Sequence, residues 1–161
     1  MHIRPLAVDD HSRVAALLVA TFRPFFDDYA RPLLGERIFQ HQHGQWEQDY
    51  RDELPTLHSP GAGRHAAVSA LTDGTITGFV AWNLRVEEAH GEIYLLAVST
   101  LHRRRGIGRS LCEHALAHLR AAHVDVVQIG TGGDPFHAPA RALYARLGYV
   151  QVPVAVYLGS P

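Results

Sequence analysis

Eight consecutive residues, Arg103-Arg104-Arg105-Gly106-Ile107-Gly108-Arg109-Ser110, combine four guanidinium groups with two glycines, which is chemistry for an anion. They fall between an apolar run and the start of a helical pattern, where several main-chain N–H groups lack helical partners and point outward. Gly106 and Gly108 carry no Cβ, so a bulky diphosphate can approach the backbone, while Arg103, Arg104, Arg105 and Arg109 add charge at the rim. The turn favours a pyrophosphate ligand. A dinucleotide-binding fingerprint needs a third glycine where Leu111 stands. A P-loop needs a lysine, and none occurs, since all 15 basic side chains are arginine. Schiff-base catalysis is excluded on the same ground.

The elements that hold this turn follow from patterning. His2 to Leu6 reads as a strand, and Asp9 or Asp10 can cap a helix with Val14, Leu17, Leu18, Thr21 and Phe22 on one side, ending before Pro24. A proline-bearing aromatic stretch, residues 24–34, leads to a second helix with Phe39, Trp46 and Tyr50, stopping before Pro55. Residues 59–63 read as a loop. His65 to Leu71 and Ile76 to Leu84 form a hairpin about Asp73-Gly74, and Glu92 to Val98 is a third strand. Residues 109–122 are a helix with Leu111, Cys112, Ala115, Leu116 and Leu119 inward, and Val124 to Ile129 an apolar strand expected at the sheet centre. Pro139 opens a helix that Gly148 ends, and Tyr149 to Leu158 is a final strand.

Length and composition agree with one domain over residues 1–161: 47% of residues are hydrophobic and 19% charged. Cys112, the single cysteine, forms no internal disulfide and, buried on its helix, acts as a small apolar residue. With no leading apolar run, a soluble cytoplasmic protein without membrane contact is expected. A net charge of −1 argues against nucleic acid as a partner. The charge is uneven: residues 22–58 hold seven acids against four arginines, and residues 101–123 five arginines against Glu113 alone. Twelve histidines include His114 with His118 and His41 with His43, but neither pair has a third ligand at motif spacing, so no metal is expected.

Against this background the glycine turn resembles the acyl-CoA loop R/Q-x-x-G-x-G/A of the GNAT superfamily, the acyl-CoA-dependent N-acyltransferases, as Arg103-x-x-Gly106-x-Gly108. A second family pattern, A-x-x-L-Y-x-x-L-G-F/Y, appears as Ala140, Leu143, Tyr144, Leu147, Gly148 and Tyr149. The resemblance covers residues 65–158, the acyl-CoA-binding core, and reaches residues 1–60, the acceptor-side helices, by element order alone. It implies a mixed α/β fold: a mostly antiparallel, twisted sheet of six to seven strands with helices on both faces, in the order β-α-α-β-β-β-α-β-α-β.

The resemblance also implies roles. Main-chain groups of Leu96, Ala97 and Val98 would hold the pantetheine and thioester carbonyl, with Val98 N–H nearest the carbonyl oxygen. Residues 103–110, Ile107 and Ser110 included, would bind the diphosphate of acetyl-CoA. His137 stands where many members carry a pantetheine-contacting asparagine, and it can donate one hydrogen bond there or cap the helix. Glu92 falls where some members place a base acting through water; a solvated glutamate is the plain alternative, and Glu87, Glu88 and Asp28 are substitutes. Tyr144 would protonate the leaving thiolate, a transfer uphill by about 1.5 units from phenol to thiol and so about 2 kcal/mol. On the acceptor side, Asp28, with Asp27 and Glu47, would fix an ammonium while Phe25, Phe26, Tyr29 and Trp46 form an apolar wall, unless these are simply the wet and core faces of two helices. The expected activity is acetyl transfer from acetyl-CoA to a primary amine, without a covalent enzyme intermediate. The alternatives are an inactive acyl-CoA sensor and a protein or peptide acetyltransferase. The final strand, if exposed, could pair with a second copy in a homodimer.

Overall fold

The structure, a computed structural model, describes residues 1–58 and 63–159. Of the loop expected at 59–63, only Gly63 lies within them. One sheet runs in the order β1 (His2–Pro5), β2 (Arg64–Ala70), β3 (Ile76–Arg85), β4 (His90–Val98), β5 (Val126–Ile129). The first three junctions are antiparallel and β4–β5 is parallel. Before β2 come α1 (His11–Pro24), α2 (Arg31–His43) and α3 (Trp46–Thr56); α4 (Ile107–Ala121) joins β4 to β5, and α5 (Ala138–Arg146) follows.

Alternation along β3 divides the core in two. Phe79 and Ala81 face Leu18, Phe22, Phe39 and Leu54 of the first three helices, whereas Val80 and Trp82 face Leu111, Ala115 and Leu119 of α4. Burial on both faces explains why β3 reads as a continuous apolar run. Its turn from β2 closes through Leu71 N–H to Thr75 O at 2.9 Å, with Gly74 at φ 84° and Asp73 Oδ1 accepting from Thr75 N–H at 2.9 Å.

Asp10, 1% exposed, fastens β1 to α1. Its carboxylate accepts from Arg4 Nη2 at 2.9 Å, from Arg13 Nη2 at 2.7 Å and from Ala7 N–H at 3.0 Å. The Arg4 guanidinium above all, with Ala7 N–H and Arg13 adding to it, overcomes burial and holds this carboxyl down at about 2.

Three expectations are corrected. The helix does not stop at Pro24: residues Phe25–Ala30 continue it as a π-turn, with Arg31 N–H reaching Phe26 O, so residues 24–34 are helical. Pro24 opens this turn as its N-cap, and its missing N–H falls one turn earlier, opposite Ala20. The chain breaks instead at Gly35, φ 74° and ψ 156°, and again near Gly44, giving three helices before β2 and carrying the third past Pro55. The third correction concerns the sheet, which has five strands rather than six or seven: residues 149–159 adopt no strand, and β5 is an edge rather than the centre. Val150, Val152, Val154 and Val156 are 77–89% exposed. Their alternation has strand periodicity, but Pro153 removes a ladder donor, and no neighbouring surface covers the valine face among the described residues. No helix among those residues is long and apolar enough to cross a membrane.

Candidate active site

Strands β4 and β5 pair from His90↔Val126 to Ile93↔Ile129, and there the ladder ends. β4 continues to Val98, still paired with β3, while the chain after β5 leaves through Gly130. From Tyr94 onward, every second residue of β4 therefore turns main-chain groups into a wedge with no strand partner among the described residues. Leu96 and Val98 face it, and Ala97 between them turns its main-chain groups to β3. A register shift opposite Ala81/Trp82 leaves Tyr94 unpaired and reverses the facing of the strand. Ile93, Leu96 and Val98 pack on the α4 side, whereas Tyr94, Leu95 and Ala97 pack on the α1 side.

The basic turn begins where β4 ends. Arg104 at φ 62° and Gly106 at φ 79° curl the chain into α4, and Gly106 is its N-cap. Between His102 N–H, bonded to Ser99 O, and Ser110 N–H, bonded to Gly106 O at 3.0 Å, no main-chain N–H meets a protein acceptor among the described residues. These amides converge at a helix N-terminus, where the dipole favours an anion. Arg103, Arg104 and Arg105 are exposed around them; Arg103 Nε also donates to Val98 O at 3.4 Å, and Arg109 Nε donates to Glu113 at 2.8 Å. Ile107 is buried beneath the turn, and Ser110 is half-buried. A Cβ on Gly108 would sit 3.5 Å from Val98 Cγ2 and 3.6 Å from Leu143 Cδ2, so the end of β4, the start of α4 and the middle of α5 meet there. Amides without partners, a backbone bare of Cβ and a guanidinium rim fit the diphosphate arm of coenzyme A.

Helix α5 passes from one face of the sheet to the other. Phe136, just before it, packs on the α1-side core, and Leu147 and Tyr149, at its end, on the α4-side core. It ends in a Schellman motif, with Tyr149 N–H to Tyr144 O at 3.1 Å, Gly148 N–H to Ala145 O at 3.0 Å and Gly148 at φ 89°. Tyr144 is buried, and burial first, then Cys112 beside it, pushes its phenol above the ordinary range. Burial, with Glu113 adding, likewise pushes the Cys112 thiol up to about 12, so it is no nucleophile at neutral pH.

The acceptor-side residues divide. Phe26 and Trp46 stack on one another at 4.3 Å inside the core, both under 10% exposed, and line no open surface. Asp27 and Glu47 flank Arg23, at 3.8 and 2.7 Å, and Asp28 is exposed. Phe25 and Tyr29 stack at 6.0 Å, and Phe25 meets Phe136 at 5.6 Å and the His137 ring at 4.9 Å. Glu92 is half-buried on the same face as Tyr94, paired across the ladder with Asn83 and Gln128. Tyr94 OH donates to Glu53 Oε1 at 2.9 Å, and Arg64 approaches that carboxylate at 3.4 Å. Burial, then the Glu53 hydrogen bond, raises the Tyr94 phenol.

Sequence reasoning missed Glu53 and Tyr94 because the bulge that turns Tyr94 toward α3 leaves no local signature. It also missed Asp134, although the Asp134-x-x-His137 spacing ahead of a helix was visible. His137 caps α5 in position only: its ring turns back to Asp134.

Residues 25–149 match the family model described as the acetyltransferase (GNAT) family. A mycothiol acetyltransferase of Streptomyces bingchenggensis is 30% identical over 131 residues, covering 81% of this chain and 42% of that protein. Another from Beutenbergia cavernae is 41% identical over 80 residues, covering 50% of this chain and 26% of that protein. The chain thus spans less than half the length of these curated relatives. Among solved structures, a variant of the BH1408 protein from Bacillus halodurans superposes over the whole of both chains with a TM-score of 0.75 at 19% identity. A ribosomal-protein-alanine N-acetyltransferase from Brucella melitensis superposes with a TM-score of 0.64 at 16% identity over 99% of each chain. At such identities these likenesses establish the fold.

Proposed function

The chain belongs to the acetyltransferase (GNAT) family, and from that premise we propose that it moves an acetyl group from acetyl-CoA to a primary amine by direct attack in a ternary complex. The observation that carries this reading is the junction of the β4–β5 wedge with the unpartnered amides of residues 103–109. The turn would take the diphosphate, and the free edge at Leu96 and Val98, with Ala97 between them bonded to β3, would pair with the pantetheine amides as an added strand does, with Val98 N–H polarising the thioester carbonyl. Acetyl-CoA supplies the activated acyl carbon.

Tyr144, on the helix that flanks the wedge, would give its proton to the departing thiolate. The raised phenol keeps that proton across the working pH range. Burial raises a thiolate's proton affinity too, which offsets the uphill transfer. Tyr144→Phe is expected to lower kcat about 10- to 100-fold, with CoA affinity within about twofold by calorimetry; unchanged turnover removes Tyr144 from the mechanism.

Glu92, near Tyr94 and Glu53, gives the acceptor face a negative potential that draws an ammonium, with Phe25 and Tyr29 as its apolar side. The acceptor is a small-molecule amine, and mycothiol-related amines belong in the test panel because the similar proteins carry that name. The test is titration with CoA, then thiol release from acetyl-CoA across amines and peptides. Binding without turnover on any amine favours an inactive sensor, and turnover on peptides alone favours a protein-modifying enzyme.

A further inference from the structure

The loop between β5 and α5 holds a carboxylate–imidazole pair built with unusual care. Asp134 Oδ1 accepts from His137 N–H at 3.1 Å, and Oδ2 lies 2.7 Å from His137 Nδ1. The Asp134 side chain is 8% exposed and that of His137 17%. A Cβ on Gly132 would lie 2.1 Å from Asp134 Oδ2 and 2.5 Å from His137 Nδ1, so the pair fits only against a glycine. Arg141 of α5 locks the loop from behind, its Nη1 donating to Gly132 O at 2.6 Å and Asp134 O at 2.7 Å. Phe25 and Phe136 set their rings edge-on to the imidazole, each 4.9 Å away.

Placement gives this rigidity a direction. The loop leaves β5 where β5 parts from β4, and Phe25 belongs to the π-turn of the acceptor-side helices. The imidazole thus stands between the wedge and the acceptor face. A carboxylate on Nδ1 selects the tautomer with its proton there, which leaves a lone pair on Nε2. Nε2 has no partner among the described residues. The other charged or titratable groups around the dyad are Arg141, whose guanidinium binds the loop carbonyls, and Tyr29, stacked behind Phe25. Burial raises the Asp134 carboxyl, but the hydrogen bonds from His137 outweigh it and hold the group below its ordinary range.

We propose that His137 is the catalytic base of the acetyl transfer, its Nε2 taking the amine proton while Asp134 positions the ring. This rests on the acetyltransferase reading above. The ammonium first releases one proton to solvent; the neutral amine nitrogen then forms the C–N bond to the thioester carbonyl carbon, and a second proton passes from it to Nε2. The C–S bond breaks, and sulfur keeps the electron pair and takes the Tyr144 proton. Nε2 then returns its proton to solvent and the phenolate regains one, so amine plus thioester gives amide plus thiol. An imidazole is intrinsically a stronger base than a carboxylate by about two units, which suits proton abstraction from nitrogen better.

The experiment combines pH–rate profiles of wild type, His137→Gln and Asp134→Asn with CoA calorimetry and imidazole ¹⁵N NMR. Wild type is expected to show His137 with its proton on Nδ1 and a kcat/KM that rises with pH along one limb. His137→Gln is expected to lose that limb and about 100-fold or more in kcat, with CoA affinity within about threefold. Asp134→Asn is expected to lose about 10-fold and to move the proton to Nε2. The assignment is overturned if His137 carries its proton on Nε2 in wild type, if the limb survives His137→Gln, or if that change weakens CoA binding without lowering kcat. A wild type that binds no CoA, or turns over no amine, overturns the acetyltransferase reading itself and is told apart by being independent of both substitutions.

Discussion

Gly106→Asp is expected to weaken CoA binding about 100-fold or more while leaving the fold intact. Gly106 is the N-cap of α4 at φ 79°, and a side chain there meets no atom within 4 Å. Aspartate tolerates the left-handed region at modest cost and is a favoured N-cap, so its carboxylate would turn onto the free amides of the first helical turn. Those are the donors assigned to the diphosphate. Self-capping removes two or three charge-assisted hydrogen bonds from the ligand and puts a negative charge where its own must sit, and 100-fold corresponds to about 2.7 kcal/mol. Calorimetry with CoA measures the loss, and thermal unfolding checks that the helix survives. An unchanged Kd would remove the turn from the binding site, and with it the basis for placing the coenzyme.

The second large effect concerns stability. Asp10→Ala strips Arg4 and Arg13 of their shared partner and leaves Ala7 N–H without its side-chain acceptor. Because the carboxylate is buried but both arginines reach solvent, the loss is expected at about 2–3 kcal/mol, below that of a fully buried pair. In a chain of this size that is a fall of roughly 5–10 °C in Tm. The sign of the pH dependence follows from the depressed carboxyl. Its contribution is complete above the ordinary carboxylate value and is lost as pH falls toward about 2. Urea denaturation of wild type and Asp10→Asn should therefore show a gap that is constant near neutrality and narrows below about pH 4. A constant gap down to pH 2 would mean that the charge contributes nothing.

What the sequence discloses and what it hides divide along local and non-local physics. The conformation of the R-x-x-G-x-G turn is legible because it depends on the backbone of consecutive residues, and the Asp73-Gly74 hairpin for the same reason. Phe26 and Trp46 were ambiguous between wall and core, and only the packing of α3 against the π-turn settles that they stack inside. The valines at 150, 152, 154 and 156 carry the strand period, but strand formation needs an opposite edge, which periodicity does not report. Pro24 marks a helix end in most contexts; here the backbone widens by one residue and continues. The Asp134–His137 contact joins residues three apart, yet its meaning came from Gly132, Arg141 and Phe25, which close on it from three elements.

The π-turn at Phe25–Ala30 has an evolutionary consequence. Such a turn amounts to one residue inserted into a regular helix, and deleting that residue would rotate everything beyond it by about 100°. Tyr29 would turn away from its stack on Phe25, whereas the arginine-glycine turn on the far side of the sheet would not feel the change. On the assignment proposed above, a single-codon deletion would remodel the acceptor side and leave the acyl-donor turn unchanged.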